Sequence, residues 1–387
     1  MSGKTTTVRN PETAAAQPAP ERSIAGLRAM ALRGLPRMYN PEERLYVFCL
    51  RRTPAGIVPE GLSRRYTAIT LIGLAGEEQQ VARAAAGGHS LQEVCGRLDR
   101  DIDQSGNLGD VALALWAARA INYPDRRRMW KRLAALAPVE RAHPVVELSW
   151  ALDAACVDAG APEAEALRER LADRLMQSFS SRSRVFPHVI GAGGSRSHVS
   201  CFADMVYPIH ALSNYARFSG NRAALEAAAA CAARICEAQG LDGQWWWHYD
   251  QRTGAVIEGY PVYAIHQDAM APMALFALRE AGGPDFSAAI RKGLDWLVYA
   301  PEICGTLIDD QVDLIWRKVA RREPGKLTRY AQAGISLVHP ALRVPGVNGL
   351  FPPRAIDYED RPYHLGWLLY AWPAARAERW DRNGGRP

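Results

Sequence analysis

The chain has 387 residues, of which 48% are hydrophobic and 23% are charged, and its formal net charge is +6. This composition is ordinary for a globular protein and excludes wholesale disorder, a collagen-like fibre and a disulfide scaffold. Because the basic residues are dispersed along the chain, we expect no nucleic-acid partner. No stretch is apolar over the roughly 18 residues that a membrane span requires, so we expect no transmembrane segment.

The seven cysteines are an odd number and include no CxxC pair, which favours reduced thiols in a cytoplasmic protein. Residues 1–23 are polar and rich in Ala, Pro and Thr, without the apolar stretch of a signal peptide, and we expect a disordered tail there. The sequence therefore predicts one domain over residues 24–380, followed by a second disordered tail over residues 381–387.

Apolar helical segments that open with a polar residue recur at intervals of roughly 40 to 60 residues, which indicates a repeat of about two helices per period. These segments are 66–74, 108–120, 145–156, 203–218, 263–278, 308–318 and 363–372. Amphipathic segments such as 161–178 and 223–239 lie between them. Because a helix that is apolar nearly all round is buried and one with a charged stripe faces water, the alternation predicts an inner and an outer ring of helices. We predict an all-α fold, an α/α toroid of about six helical hairpins; the alternative is an open α-solenoid.

Strand signals are few and short. They cover residues 44–51, 184–190 and 245–257, with a turn at 250–254, and they predict small hairpins on one rim of the helical barrel. The Gly- and Ser-rich segment 191–197 is predicted to be a flexible loop on the same rim.

Residues 239–245 read QxxxGxW, which resembles the repeat motif of the terpenoid cyclase and protein prenyltransferase superfamily, whose members are α/α toroids. The six-hairpin barrels of glycoside hydrolases, polysaccharide lyases and sugar epimerases share that architecture, so the resemblance implies the fold and does not choose the chemistry.

Class II terpenoid cyclases need an Asp-x-Asp-Asp acid, which is missing. The letters of Asp309-Asp310-Gln311-Val312-Asp313 match DDxxD, and a helix would place Asp309 and Asp313 on one face, able to share Mg²⁺. A solvated helix start that favours acids explains them equally.

The densest group of chemistry-bearing residues lies between Asp242 and Met273. We predict that Tyr263, His266, Asp268 and Glu258 are catalytic, because a phenol and an imidazole three residues apart beside a carboxylate can supply a general acid and base. Flat aromatic rings beside polar groups suit the faces of sugars, so we predict a substrate-binding set of Trp245, Trp246, Trp247, His248 and Tyr260. The alternative is that His266 and Asp268 are satisfied core residues.

Other inner helices open with polar groups in comparable places. If the helix starts share one rim, the groups that converge on the mouth of the cavity are Asp110, Glu147, Asp204, Asp309 or Asp310, and His364. Paired carboxylates there can act as acid and base. Tyr207 and His210 repeat the spacing of Tyr263 and His266 and are added to the substrate-binding set, together with Asp204 and His364. Acids at helix starts are also favoured by capping and by the helix dipole, without any function.

Three functions follow from these observations. The first is a carbohydrate-processing enzyme, a hydrolase, lyase or epimerase, whose acid and base lie in the central cavity and whose substrate is a small molecule or an oligosaccharide. The second is an isoprenoid-processing toroid with Mg²⁺ on Asp309 and Asp313. The third is a non-catalytic toroid that binds a peptide or a partner protein. We expect no cofactor except Mg²⁺ under the second function, and the oligomeric state stays open.

Overall fold

A computed structural model describes residues 22–191, 193, 197–324 and 327–385. The tail predicted over residues 1–23 lies outside the described residues except for its last two, and the rim loop at 191–197 lies largely outside them. Within the described residues the helices are α1 (Ile24–Gly34), α2 (Arg64–Leu74), α3 (Gln79–Ala85), α4 (Leu91–Arg100), α5 (Leu108–Ala120), α6 (Arg127–Ala135), α7 (Val145–Val157), α8 (Pro162–Ser178), α9 (Ala203–Ser219), α10 (Arg222–Glu237), α11 (Ala271–Glu280), α12 (Ser287–Val298), α13 (Leu327–Val338), α14 (Val347–Leu350), α15 (Pro362–Ala371) and α16 (Ala374–Arg382). A π-helical turn, His266–Met270, leads into α11, and 3₁₀ turns span Leu35–Met38 and Ile102–Gln104.

Six of the described helices close a ring. Helix α2 packs on α5, α5 on α7, α7 on α9, α9 on α11, α11 and its π-helical turn on α15, and α15 returns to α2. Six of the seven segments that the sequence predicts to be buried supply these helices, and helices α4, α6, α8, α10 and α12 pack against them from the outside. The chain is an α/α toroid, which confirms the predicted fold class, and the open solenoid is wrong.

The middle of the ring is filled by aromatic side chains. Trp116 on α5 lies 5.5 Å from His210 on α9 and 5.4 Å from Trp367 on α15, measured between ring centroids, and α5 is a neighbour of neither helix in the ring. These contacts therefore cross the ring. The side chains of facing inner helices therefore meet in the middle of the ring.

Short antiparallel strands lie in the segments that connect the helices. They are β1 (Tyr39–Asn40), β2 (Leu45–Tyr46), β3 (Cys49–Thr53), β4 (Gly56–Glu60), β5 (His143–Pro144), β6 (Val189–Ile190), β7 (Val199–Cys201), β8 (His248–Asp250), β9 (Val256–Glu258), β10 (Val262–Tyr263), β11 (Ile308–Asp309), β12 (Leu314–Ile315), β13 (Lys318–Ala320), β14 (Ala355–Asp357) and β15 (Glu359–Asp360). They form sheets of two or three strands, among them β7-β8-β9, β10-β13-β14 and β15-β3-β4. Strands lie in each of the three predicted segments, and β8 and β9 flank the predicted turn.

Two predicted boundaries differ from the structure. The segment 308–318 is not an inner helix but the hairpin β11–β12, in which Ile308 pairs with Ile315 and the left-handed Asp313 (φ 52°) ends the turn. Helix α16 continues to Arg382, and the Asp381 carboxylate accepts hydrogen bonds from the backbone N–H groups of Ile24 and Ala25 at the start of α1. Residues 381 and 382 therefore belong to the helical fold rather than to a tail.

None of the described helices has the length and apolar character that crossing a bilayer demands.

Candidate active site

The first turns of the inner helices form the mouth of the ring, and side-chain caps fix where α2 and α5 begin. The Ser63 hydroxyl accepts from Tyr66 N–H at the start of α2, and the Asn107 side chain accepts from Asp110 N–H at the start of α5. Such caps satisfy backbone donors that the helix itself leaves unpaired. The side chains of the first turns are thereby held at one end of the ring.

A guanidinium joins two carboxylates at this mouth. Arg65 Nε donates to Asp110 Oδ1 at 2.7 Å, and Arg65 Nη2 lies 3.3 Å from Glu147 Oε1. Asn107 Nδ2 also donates to Glu147 Oε1 at 2.9 Å. The Asp110 side chain is 30% exposed and that of Glu147 is 10% exposed, so the pair lies at the boundary between the core and solvent. The predicted convergence of helix-start acids is realised here by Asp110 and Glu147.

Aromatic rings line the mouth at the starts of α2 and α15. Tyr66 stacks on Tyr363 with 4.5 Å between ring centroids and on Phe48 at 5.4 Å. Arg361 Nη1 donates to the Tyr66 hydroxyl at 2.7 Å, and its guanidinium lies 4.3 Å from the centroid of Phe48. These four residues join an aromatic surface to a fixed positive charge.

Basic side chains continue along this wall around one buried carboxylate. Glu359 is 3% exposed, and it accepts from Arg361 and from Arg51 and Arg317 at 3.2 and 3.4 Å. The Arg317 guanidinium also lies 5.4 Å from the centroid of Tyr263. Glu60 also pairs with Arg51, and Asp357 pairs with Arg317 and Lys318. Three guanidinium groups and one ammonium group thus face three carboxylates, which leaves this wall with one net positive charge.

Tyr263, His266 and Trp247 lie together, as three neighbouring aromatic rings. Tyr263 belongs to strand β10, so the expectation that Tyr263 and His266 share a helix face is wrong; their rings are nevertheless only 5.0 Å apart. Trp247 stacks on His266 at 5.9 Å and contacts Tyr263 at 4.7 Å. Burial lowers the pKa of His266 to about 3, so its imidazole is neutral near pH 7. Trp247 is half-buried, and its indole N–H has no partner among the described residues.

Asp268 lies behind this group, in a buried ion pair. His364 Nε2 lies 2.8 Å from Asp268 Oδ1, and His364 Nδ1 lies 3.8 Å from Asp360. Desolvation opposes the charge on His364, but the two carboxylates raise its pKa above the ordinary value, and burial raises the pKa of Asp360 to about 6. Asp268 and Asp360 are at most 1% exposed and His364 is 3% exposed.

Several other predicted site residues lie away from the mouth. Glu258 is buried in an ion pair with Arg321 at 2.7 Å, and Trp245 is fully buried against Phe202. The Tyr260 hydroxyl donates to Glu302 at 2.7 Å, and Trp246 lies edge-on to Tyr260.

The other histidines of the predicted set, and Tyr207, are also buried. His248 is buried in strand β8. His210 is held between Asp153 at 2.9 Å and the Tyr370 hydroxyl at 3.1 Å, seven residues into α9 and below the mouth. Tyr207 is 3% exposed and packs against Trp150.

The helix on which the predicted magnesium pair relies is not formed. Asp309 accepts from Arg52 Nη2 at 2.7 Å and Asp313 from Arg33 Nη2 at 2.7 Å, so each carboxylate already pairs with its own arginine. The two residues belong to a hairpin, where the spacing of four places no two side chains on one helix face. The match to DDxxD therefore has no shared helix face to support it.

Four residues at the mouth were not predicted from the sequence to belong to the site: Arg65, Tyr66, Arg361 and Tyr363. Arg65 and Tyr66 open α2, and Arg361 and Tyr363 flank the start of α15, so a basic residue beside a tyrosine at a helix start was the available signal. Their partners are far away in the sequence, 82 residues between Arg65 and Glu147 and 295 between Tyr66 and Arg361.

Comparison with known protein families gives no match, and comparison with curated protein sequences gives none either. Solved structures do match. An unsaturated glucuronyl hydrolase specific for heparin aligns with a TM-score of 0.58 at 14% identity over 94% of this chain and 97% of that one. Cellobiose 2-epimerase from Bacillus thermoamylovorans aligns with a TM-score of 0.59 at 10% identity over 92% and 99%. A possible member of the GH105 family from Klebsiella pneumoniae aligns with a TM-score of 0.53 at 10% identity over 98% and 100%.

These matches show that the chain shares the α/α toroid fold of these proteins. They give no support to the resemblance to terpenoid cyclases and protein prenyltransferases that residues 239–245 carry. At these identities the likeness establishes the fold, and the chemistry must be argued from the site.

Proposed function

We propose that the protein is a carbohydrate-active enzyme that cleaves a glycosidic bond in an acidic oligosaccharide at the mouth of the ring. The observation that carries this proposal is the pair of carboxylates, Asp110 and Glu147, which meet on the guanidinium of Arg65. Glycoside hydrolysis generally uses two such carboxyl groups, one that donates a proton to the leaving oxygen and one on the other side of the bond. The structural matches to a glucuronyl hydrolase and to a possible GH105 protein support this class.

The aromatic and basic wall at the starts of α2 and α15 is suited to binding the sugar. Tyr66, Tyr363 and Trp247 offer flat aromatic surfaces of the kind on which sugar rings stack. Arg361 and Arg317 add positive charge beside these rings, and guanidinium groups bind carboxylates through paired hydrogen bonds. This combination favours a uronate over a neutral sugar.

Variants of the two carboxylates test the proposal. We expect Asp110→Asn and Glu147→Gln each to lower kcat on acidic oligosaccharides by about 10²-fold or more, because each removes a proton-transfer group. Release of reducing ends is measured, and circular dichroism melting shows that each variant is folded. Glu163→Gln, which changes an exposed acid at the start of outer helix α8, is the matched control and is expected to keep full activity. Wild-type rates in both site variants, or no turnover of any acidic oligosaccharide by the wild type, would overturn the proposal.

A second candidate function is epimerisation at the carbon next to a sugar carbonyl, and His266 favours it. Its imidazole is neutral, Nδ1 has no partner among the described residues, and the ring lies in a π-helical turn, a feature frequent at functional sites. The acid–base group would then consist of His266, Tyr263 and the ion pair between Asp268 and His364. The structural match to cellobiose 2-epimerase supports this second function. Under this function the product is an epimer that carries solvent deuterium. His266→Gln abolishes its formation, and Glu147→Gln does not.

Two further features belong to the proposal. All seven cysteines are free thiols, which supports a reducing compartment and hence a cytoplasmic location. Proton transfer between carboxyl groups and a sugar needs no organic cofactor, so we expect none.

A further inference from the structure

Three side chains with metal-binding atoms meet at the mouth, beside the start of α9. His188 precedes β6, Cys201 ends β7 and Asp204 lies in the first turn of α9. One ligand atom from each residue, the imidazole nitrogen, the thiol sulfur and a carboxylate oxygen, lies within 4.8 Å of the other two. Their positions in the sequence follow no familiar metal-ligand spacing, so only the fold brings them together.

The surroundings of Asp204 leave its negative charge with few partners. The carboxylate is fully buried, and it accepts from the backbone N–H of Cys201 at 2.7 Å and faces His188 Nδ1 at 3.0 Å. In the part of the chain that the structure describes, Asp204 forms no ion pair with an arginine or a lysine. A carboxylate removed from water requires a cation or several hydrogen bonds to stay ionised.

The donor set and its geometry match a transition metal. Histidine nitrogen, cysteine sulfur and carboxylate oxygen together are zinc ligands, and three protein ligands with a fourth open position are typical of catalytic zinc. Bonds of about 2.0 Å to nitrogen and oxygen in a tetrahedral site put those two atoms about 3.3 Å apart. The observed 3.0 Å between His188 Nδ1 and Asp204 Oδ2 is close to that separation. The His188 side chain is 57% exposed, so the site is open to solvent on its side.

We propose that His188, Cys201 and Asp204 bind one zinc ion at the mouth of the ring, with the fourth position open to water or to an oxygen of the substrate. Metal binding requires the thiolate. Zinc therefore has to displace the thiol proton of Cys201, which passes to solvent.

Metal binding by the full-length protein, freed of metal by a chelator, tests this proposal without any substrate. We expect one Zn²⁺ per chain by calorimetry, and one Co²⁺ that gives the visible bands of a tetrahedral site and a thiolate charge-transfer band in the near ultraviolet. Cys201→Ser is expected to remove the thiolate band, and His188→Ala and Asp204→Asn to weaken binding about tenfold or more. Cys304→Ser, which changes an exposed cysteine elsewhere, is the control and is expected to bind as the wild type does.

A folding readout keeps the result decisive if a variant is unstable. The melting temperature of the wild type is expected to rise on addition of Zn²⁺, and that of Cys201→Ser to rise less, because a ligand that binds only the folded state stabilises it. The proposal is wrong if the wild type binds no Zn²⁺, or if the Co²⁺ spectrum has no thiolate band or keeps it in Cys201→Ser. Because these experiments measure no turnover, their outcome is independent of the test of the proposed glycosidase activity.

Discussion

Gly243 occupies a position in the QxxxGxW segment that no other residue fits. Its φ is 103°, and a Cβ atom there would lie 1.8 Å from the carbonyl oxygen of Lys292 on α12. Gln239 ties the same loop down, because its side-chain amide donates to the carbonyls of Gly243 and Ala289, both at 2.9 Å. In this chain the motif therefore fastens the connection after α10 to helix α12, which is a structural role.

Gly243→Ala is predicted to lower the free energy of unfolding by about 3 kcal/mol, from backbone strain and from the clash with Lys292 together. Gly282→Ala is the matched control: Gly282 also has a positive φ, 88°, but nothing lies within 4 Å of its Cβ position. Strain alone costs about 1 kcal/mol there. Urea denaturation of both variants measures the difference, and equal losses would contradict the role of the close contact.

His266 also makes stability depend on pH. Its folded-state pKa is about 3, below the ordinary value of 6.5, so the unfolded chain takes up a proton that the folded chain refuses. The stability this residue contributes is therefore complete above pH 6.5 and is lost as the pH falls towards 3. His266→Gln is predicted to remove a slope of about 1.4 kcal/mol per pH unit from that window. Denaturation curves of wild type and variant at several pH values test it, and parallel slopes would contradict it.

At the scale of elements, the ring closes where two glycines let α2 and α15 approach. A Cβ on Gly73 would lie 2.2 Å from the carbonyl oxygen of Gly366, and a Cβ on Gly366 would lie 2.8 Å from Cα of Thr70. Backbone atoms on both sides leave no flexible side chain to move away. The first and last inner helices are thus in direct backbone contact.

Gly73→Ala is predicted to destabilise the protein by about 3 kcal/mol, because it overpacks this contact. Gly334→Ala in α13 is the control, since nothing lies within 4 Å of its Cβ position and alanine is the better helix former; it is predicted to be neutral or stabilising by up to about 1 kcal/mol. The melting temperatures of the two variants are compared. A Gly73→Ala protein as stable as the wild type would mean that the two helices can separate without cost.

The inner helices were predictable because their residues are apolar nearly all round, as the run from Leu108 to Ala120 shows. The hairpin β11–β12 was not, because the residues between Ile308 and Leu314 gain their structure from distant partners. Arg52 and Arg33 bind Asp309 and Asp313, and the left-handed backbone at Asp313 has no signal in the sequence. The spacing of Asp309 and Asp313 was therefore wrongly interpreted as that of a helix.

At the scale of the whole molecule, sequence patterns predicted a ring and the rim on which polar groups gather. They could not predict which groups face each other, because the ring joins residues far apart in the chain. Asp110 and Glu147 were expected at the mouth, whereas Arg65, which holds them together, comes from another helix. His266 and Asp268 were predicted to be catalytic because they belong to a dense local cluster in the sequence. In the fold both are buried, His266 against Trp247 and Asp268 against His364.

The central claim is that the mouth of the ring binds an acidic oligosaccharide, and ligand-induced thermal stabilisation of the wild-type protein tests it most directly. Uronate-containing oligosaccharides, neutral oligosaccharides and prenyl diphosphates with Mg²⁺ are compared at equal concentration. A ligand at a hundredfold excess over its Kd stabilises the folded state by about 2.7 kcal/mol, which raises the melting temperature measurably. We predict an increase with the uronate-containing oligosaccharides that Arg361→Gln reduces. The account would be contradicted if only the prenyl diphosphates raised the melting temperature. It would also be contradicted if none of the saccharides raised it.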